Sequence, residues 1–434
     1  MESLCYIFHK FEWSKEDNRM SKIKIKNFGP IKEGYLDNDG WINIEKVTIF
    51  IGNQGSGKST VAKLFSTLTW LEKAINRGDV DWKKLSHSIF KNFFKYQRIQ
   101  NYFRDDTVIE YEGDSAVIKY NSKLDWPEVS FIKNSNFSIP RIIYNVPKIM
   151  YVPAERNFLS VVKNAYGIKN LPDTLYTFAE ELRKGQLELN GKLLQLPISK
   201  LKYKYNNDNE TSYIVGESFE LDLLESSSGF QSFVPLYLVS KFLTDELQKG
   251  QNVLREQLNV EQSVRRNKEI AEVMFNNNLT ELEKSKKVRE IDSKYLNTCF
   301  INIVEEPEQN LFPTSQKQML FSLLEFNNLS QGNKLIMTTH SPYLINYLTL
   351  AVKAAILKEK VETDKSKLKL QKIVPFASTV NPNDLAIYQL DEEKGIIERL
   401  ETYQGLPSDE NSLNEKLGES NELFAKLLEI QQGL

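Results

Sequence analysis

Hydrophobic and polar residues alternate along residues 22–28, and this period of two predicts a strand with one buried face. Continuous apolar runs follow it and predict strands that are buried on both faces. Helix-like segments come after the runs that start at residues 47, 300 and 335, so we predict an α/β fold around a parallel sheet. The apolar runs cover residues 47–51, 148–153, 300–304, 335–339 and 385–390.

Two polar segments interrupt this pattern. Residues 244–296 are almost free of glycine and proline and dense in Glu, Lys, Arg and Gln, which predicts exposed antiparallel helices or a short coiled coil. Residues 82–104 are predicted to be helical, and bases alternate with aromatic residues from residue 91 onward. That stretch is either a nucleic-acid surface or a helix whose aromatic side chains pack inward, and we favour the packing interpretation.

Composition narrows the class of protein. The 434 residues suggest two or three structural units, and a formal net charge of −2 argues against coating DNA by bulk electrostatics. The two cysteines, Cys5 and Cys299, lie far apart and no signal peptide is visible, so we expect a cytoplasmic protein. No apolar stretch approaches the ~18 residues of a membrane span. With only three histidines, a Cys/His zinc site is excluded.

A complete phosphate-binding loop follows the first buried strand. Residues 52–59 read Gly-Asn-Gln-Gly-Ser-Gly-Lys-Ser and lead into a predicted helix, which is the context that this motif requires. Its backbone N–H groups and the helix N-terminus favour a bound phosphate. We predict that Lys58 reaches the β- and γ-phosphates and that the Ser59 hydroxyl ligates Mg²⁺. The predicted nucleotide-binding residues are Asn53, Gln54, Gly55, Ser56, Gly57, Lys58, Ser59 and Thr60.

Two carboxylates directly follow one of the other predicted buried strands, and a histidine follows another. The run 300–304 leads into Glu305 and Glu306, and a nucleotide hydrolase needs one carboxylate for Mg²⁺ and another for the attacking water. We assign Glu305 to the metal and Glu306 to the water; the alternative is a simple acidic turn. His340 follows the run 335–339, at the edge of the sheet where ligands bind, and either contacts the γ-phosphate or is structural.

A second anion-binding element precedes the apolar helix predicted at residues 233–243. Serine hydroxyls and a glycine at a helix N-terminus can bind a phosphate. Because the chain already has its own phosphate loop, we expect this element to cover the γ-phosphate of a neighbouring subunit. Its residues are Ser227, Ser228, Gly229 and Gln231.

Together these four elements resemble the ABC-type ATPases, in particular the head domains of the SMC, RecF and OLD families. Residues 52–59 match the Walker A loop, residues 227–231 look like the signature motif, residues 300–306 match Walker B and His340 matches the switch histidine. Residues 24–31, 151–156 and 305–313 are especially similar to the OLD-type AAA ATPases. The resemblance covers most of residues 21–400 apart from the insertions.

The resemblance implies an ABC-type ATPase head with ATP and Mg²⁺ as ligands. Such a head has a P-loop sheet flanked by helices, an antiparallel N-terminal β part and, here, a protruding helical insertion. Two protomers would sandwich ATP as a dimer or within a higher homo-oligomer. The implied units are an N-terminal extension (1–20), the first part of the ATPase domain (21–160), a mixed insertion (161–225), the signature helix (226–243), a helical or coiled-coil insertion (244–296), the second part of the ATPase domain (297–400) and a helical tail (401–434).

The chain departs from the family pattern in three respects. Glu305 stands where many relatives have aspartate, and Ser228 replaces the first glycine of the signature motif. Glu155 and Arg156 stand where relatives often have a glutamine that senses Mg²⁺, so a phosphate or Mg²⁺ sensing role at these two residues is an expectation only.

OLD nucleases continue into a Toprim domain, but no nuclease constellation is recognisable in the 94 residues after His340. The acidic triplet 391–393 is more simply a solvated hairpin turn. An ATPase without a fused effector is similar to the ATPase components of the PARIS anti-phage systems, which implies a separate Toprim nuclease as partner and a phage trigger protein. The alternative is a DNA-repair ATPase like RecF or a short SMC head, with DNA as partner.

Overall fold

The computed structural model describes residues 20–132, 144–162, 167–249, 254–255 and 258–432. Apart from Met20, the predicted N-terminal extension with Cys5 and His9 lies outside these residues. The strands are β1 Ser21–Phe28, β2 Gly34–Tyr35, β3 Trp41–Ile44, β4 Val47–Gly52, β5 Phe103–Glu112, β6 Ala116–Asn121, β7 Glu128–Phe131, β8 Pro147–Val152, β9 Leu193–Gln195, β10 Lys202–Asn206, β11 Thr211–Val215, β12 Glu220–Asp222, β13 Leu254–Arg255, β14 Leu296–Asn297, β15 Cys299–Glu305, β16 Lys334–Thr339, β17 Leu385–Leu390, β18 Ile396–Arg399, β19 Thr402–Tyr403 and β20 Leu406–Pro407. The helices are α1 Lys58–Arg77, α2 His87–Phe93, α3 Phe158–Val161, α4 Asp173–Glu188, α5 Ser228–Lys249, α6 Val260–Met274, α7 Glu281–Ser293, α8 Pro313–Asn328, α9 Pro342–Lys358, α10 Asp364–Ile373 and α11 Ser412–Gln432.

A seven-stranded sheet forms the centre of the protein, with the order β2-β18-β17-β4-β16-β15-β8. The five strands from β17 to β8 are mutually parallel, and they match the five apolar runs of the sequence, except that Pro153 lies just beyond β8. Every residue of β4 and β15 is buried, as expected for strands covered on both faces. Parallel strands end at the same edge, so the loops after β4, β15 and β16 meet there.

An antiparallel sheet covers one face of this central sheet, with the order β3-β1-β5-β6-β7. The alternating pattern of β1 places Ile23 and Ile25 in the core, where they share a hydrophobic cluster with Leu64 and Phe65 of α1. The other face is covered by helices that include α4, α5, α8 and α9. The predicted α/β fold class, with a P-loop sheet flanked by helices and an antiparallel N-terminal β part, is therefore confirmed.

The polar segment after α5 contains the two short exposed helices α6 and α7. Each begins with a capping box, at Asn259 and Thr280, and the two are joined by an Arg266–Asp292 ion pair of 2.5 Å. Asp79, just beyond the end of α1, holds α6 against this end of α1. Its carboxylate lies 3.0 Å from the Arg265 guanidinium and accepts a hydrogen bond from the Gln262 side-chain amide at 2.9 Å. The helix that starts at the phosphate loop thus ends at the base of the helical insertion.

The prediction of one helix over residues 82–104 is wrong. Only α2 is α-helical in this stretch, and the chain reverses at Arg98, whose φ is 57°, before β5 starts at Phe103. The physical reason is a compact aromatic cluster that holds Phe90 and Phe94 completely buried. Burial of Phe94 supports the packing interpretation for that ring, whereas Tyr96 and Tyr102 of the same stretch are 38% and 37% exposed. Among the described residues, no helix is long and apolar enough to cross a membrane.

Candidate functional site

The phosphate loop connects the buried end of β4 to the N-terminus of α1. Gly52 and Gly57 have φ angles of 142° and 105°, which residues with side chains rarely adopt. A Cβ atom at Gly52 would lie 2.4 Å from the Leu390 carbonyl oxygen, so only glycine fits between β4 and β17. Asn53, Gln54 and Gly55 are exposed, whereas the Ser56 hydroxyl is buried and finds no hydrogen-bond partner within the described part of the chain.

Lys58 folds back over this loop. Its ammonium group donates hydrogen bonds to the carbonyl oxygens of Gly52 at 2.9 Å and Asn53 at 2.8 Å. Burial lowers the pKa of Lys58 to about 8, although the nearby carboxylates of Glu306 and Glu308 oppose that shift. A lysine that is held over a glycine-rich loop and surrounded by carboxylates can exchange these carbonyl contacts for phosphate oxygens.

The two Walker B carboxylates differ in environment. Glu305 is 5% exposed, and its carboxylate accepts the Ala154 backbone N–H at 3.3 Å. Glu306 has a left-handed φ of 42°, and its N–H donates to the Thr338 carbonyl at 2.9 Å. This backbone conformation turns the Glu306 side chain, which is 37% exposed, toward solvent at the sheet edge.

His340 lies beside Glu306, with 3.7 Å between its Nε2 and the Glu306 carboxylate. Burial, and then the nearby charge of Lys58, lower the pKa of His340 below its usual value. The imidazole is therefore neutral at pH 7 and can donate one N–H. The structure thus brings Lys58, Glu306 and His340 together at one edge of the sheet.

Glu308 belongs to the same site, although its position in the sequence did not predict a role for it. Its Oε1 accepts the Thr339 hydroxyl and the His340 backbone N–H, both at 2.7 Å. Burial raises the pKa of Glu308, and its Oε2 is buried without a hydrogen-bond partner among the described residues. The signal that could have found it is the spacing Glu-Glu-Pro-Glu, which places a third carboxylate one turn beyond the strand.

Arg156 is completely buried and lies behind the Walker B strand. Its two terminal nitrogens donate to the backbone carbonyls of Glu305 at 2.7 Å and Glu306 at 2.6 Å. Its Nε donates to the backbone carbonyl of Ser232 in α5 at 3.2 Å. Burial lowers its pKa to about 10, so the side chain stays charged. In this arrangement Arg156 connects β15 and the loop after it to α5, whereas its neighbour Glu155 is exposed.

The predicted signature residues form the N-terminal turn of α5. Ser227 and Ser228 are exposed, so their hydroxyl groups are accessible to a second molecule. The Gln231 amide donates to the Leu224 carbonyl at 2.9 Å, which ties this turn to the preceding segment. A Cβ at Gly229 would lie 3.0 Å from the Asn310 carbonyl oxygen, so the loop after Walker B lies against the start of α5.

Ser59, Thr60 and Glu305 are the residues that could hold Mg²⁺ or the nucleotide near it. Within the described ranges, no group of three or more His, Cys, Asp or Glu side chains could hold a metal ion by itself. Proteins usually bind Mg²⁺ through one or two carboxylates together with substrate phosphates. Thr60 is buried and Ser59 is half-buried at the start of α1.

Comparisons with known proteins give distant structural similarity. The SMC head domain from Thermotoga maritima is similar at 12% identity, covering 89% of this chain and 100% of that one, with a TM-score of 0.37. The ATP-binding cassette MJ0796, in a dimeric post-hydrolysis state bound to ADP and Pi, is similar at 10% identity, covering 88% and 100%, with a TM-score of 0.26. No protein-family profile and no curated protein matches the chain in sequence.

Proposed function

We propose that this protein is an ABC-type ATPase that binds MgATP in the loop of residues 52–59 and hydrolyses it. The observation that carries the proposal is the placement of Glu306 and His340 beside Lys58, at the edge where β4, β15 and β16 end. At this edge the phosphate loop with Lys58, the carboxylates of Glu305 and Glu306 and the imidazole of His340 lie together. Each has a separate task in phosphoryl transfer.

In the proposed mechanism, Lys58 leaves the carbonyls of Gly52 and Asn53 and contacts the β- and γ-phosphates. Glu306 orients the attacking water and accepts its proton, which its exposed carboxylate is free to do. Neutral His340 donates an N–H to the γ-phosphate and stabilises the charge that develops there. Mg²⁺, held by Ser59 and Glu305, would neutralise the phosphate oxygens.

We further propose that two copies sandwich ATP, each covering the other's γ-phosphate with Ser227, Ser228, Gly229 and Gln231. The support is that Ser227 and Ser228 are exposed at the start of a 22-residue helix, whose N-terminus attracts anions. Arg156 joins this helix to the loop after the Walker B strand. A contact at the signature residues can therefore change the position of Glu306 through Arg156.

The hydrolysis test compares the wild-type protein with Glu306→Gln. We expect at least a hundredfold lower kcat with ATP binding retained, because the glutamine cannot accept the proton. Glu325→Gln, an exposed carboxylate on α8, is the matched control and should keep wild-type turnover. Unchanged turnover in Glu306→Gln would remove this residue from its role.

The assembly test uses the same variant. With ATP, Glu306→Gln should sediment as a dimer or larger oligomer, and adding Ser228→Arg should return it to the smaller species while ATP still binds. An assembly that ignores Ser228→Arg would contradict the sandwich.

At the cellular level we propose that the protein acts in the cytoplasm as an OLD-like sensor and scaffold in anti-phage defence, as the PARIS-type ATPases do. It would hold a separate Toprim nuclease and release it when a phage trigger protein is detected. The alternative is a RecF- or SMC-like DNA-repair ATPase. The near-neutral formal net charge of −2 and the modest size of the helical insertion favour the first role.

The discriminating experiment is purification of Glu306→Gln from cells that carry its native gene neighbourhood, followed by mass spectrometry. A stoichiometric nuclease or other toxic effector would support the defence role. A clean ATPase, or one that retains only DNA, would favour the repair role, and salt-sensitive DNA binding that requires ATP would confirm that alternative.

A further inference from the structure

The acidic hairpin turn between β17 and β18 lies beside the phosphate loop. β17 is the parallel neighbour of β4, and Leu390 is in register with Gly52, so the two strands end at the same level. The residues that follow each strand must therefore be neighbours. The triplet Asp391-Glu392-Glu393, which the sequence suggested was only a solvated turn, is placed at the mouth of the nucleotide site.

The position of this turn is fixed from both sides. The Asp391 carboxylate accepts the backbone N–H groups of Glu393 at 2.9 Å and Lys394 at 2.8 Å, which closes the turn. The Lys32 ammonium donates to the Glu393 carbonyl at 2.8 Å. The Lys32 backbone N–H donates to the Gly395 carbonyl at 2.9 Å. Glu392 is therefore presented to the loop by a well-supported backbone.

Glu392 itself contacts the loop. Its Oε1 accepts the Asn53 side-chain amide at 2.7 Å, and Asn53 in turn accepts the Gln54 backbone N–H at 2.8 Å. The hydrogen bond from Asn53 lowers the pKa of Glu392, so the carboxylate is ionised at neutral pH. Its negative charge is one of those that raise the pKa of Lys58. Glu392 thus adds a fixed negative charge to a loop built for phosphate.

We propose that Glu392 is an electrostatic brake on the phosphate loop that weakens its affinity for ATP. The proposal rests on the proposed function, because it concerns the same nucleotide site. A carboxylate at the mouth repels the incoming phosphates and competes with them for the positive charge of Lys58. Since Glu392 is exposed, salt screens this repulsion, and the affinity for ATP depends on ionic strength.

The test replaces Glu392 with glutamine, which removes the charge and keeps an oxygen that can accept from Asn53. The matched control is Glu393→Gln, the neighbouring carboxylate of the same turn. Affinities for ATP and ADP with Mg²⁺ are measured by isothermal titration calorimetry in low salt and in about 0.5 M salt. At low salt, Glu392→Gln should bind ATP roughly three to ten times more tightly, with a smaller gain for ADP. The gain should shrink in high salt, and Glu393→Gln should bind like wild type.

Three results would overturn the brake: an unchanged or weaker ATP affinity in Glu392→Gln, a gain that persists in high salt, or an equal gain in Glu393→Gln. These outcomes are distinguishable from failure of the proposed function. If the wild-type protein binds no nucleotide at all, both the proposed ATPase function and the proposed effect of Glu392 are refuted. If it binds ATP and Glu392→Gln behaves like wild type, only the brake falls.

Discussion

Glu308 accepts the backbone N–H of His340 at 2.7 Å and the hydroxyl of Thr339 at the same distance. One carboxylate from the loop after β15 therefore fixes the end of β16, where the histidine side chain begins. Because Glu306 and Glu308 share one short loop, the Walker B carboxylate and His340 are positioned by the same segment.

Glu308 is expected to act as a positioning residue. Glu308→Gln keeps an oxygen for the His340 N–H and should lower kcat by less than about threefold, whereas Glu308→Ala should lower it about tenfold or more without a matching rise in KM. Steady-state kinetics of the two variants would measure this. Equal kinetic losses in the two variants would contradict positioning through the acceptor oxygen, and a fall in stability without a kinetic difference would show that Glu308 is only structural.

The pKa of Lys58, lowered to about 8 by burial, predicts pH-dependent ATP binding. Below pH 8 the ammonium is already protonated and the affinity is constant. Above pH 8 the binding of phosphate must draw in a proton, so the affinity falls by up to tenfold per pH unit. Titration calorimetry at pH 9, in buffers of different ionisation enthalpy, should detect this proton uptake.

Lys58→Arg is the matched variant for that experiment. Its guanidinium remains charged throughout this range, so residual ATP binding should lose its dependence on pH between 7 and 9. Lys58→Ala should lose most of its ATP affinity, because charge-assisted contacts to phosphate are absent. Normal ATP binding by Lys58→Ala would contradict the assignment of the loop.

Replacement of Arg156 separates two roles. If the buried guanidinium mainly holds the carbonyls of Glu305 and Glu306, Arg156→Met should cost about 2–4 kcal/mol of unfolding free energy, since these groups lose buried partners. Urea denaturation measures this, with the exposed Arg289→Met as control. Retained stability together with a large loss of ATP affinity would indicate that Arg156 contacts phosphate instead.

The helical insertion is expected to be a docking arm. Phe275 and Leu282, 83% and 82% exposed, lie in and just after the connection between α6 and α7 and are available to a partner. Deleting residues 250–290, or introducing Phe275→Ser with Leu282→Ser, should leave ATP hydrolysis intact and abolish capture of the proposed effector. Pull-down and ATPase assays on the same preparations test this. Loss of hydrolysis in the double serine variant would show that the insertion is structural.

Sequence patterns predicted much of this fold for a physical reason. Strands such as β4 and β15 are buried on both faces and are therefore continuously apolar, and the glycines of residues 52–57 are required by the backbone of the loop itself. Both signals can be read from the sequence of a single segment. The prediction of a helix over residues 82–104 was wrong. The composition of this stretch favoured a helix, but the packing of Phe90 and Phe94 in the aromatic cluster goes with a helix that ends at Phe93.

By itself, then, the sequence determined the chemistry that each segment carries: the phosphate loop, the paired carboxylates at residues 305–306 and His340. Only the tertiary structure decided which of these groups meet. The parallel register of β17 with β4 brought Glu392 to Asn53, and the ends of β15 and β16 brought Glu308 to His340. These contacts join residues distant in the chain, and their distances follow from strand order and register, which local composition does not encode.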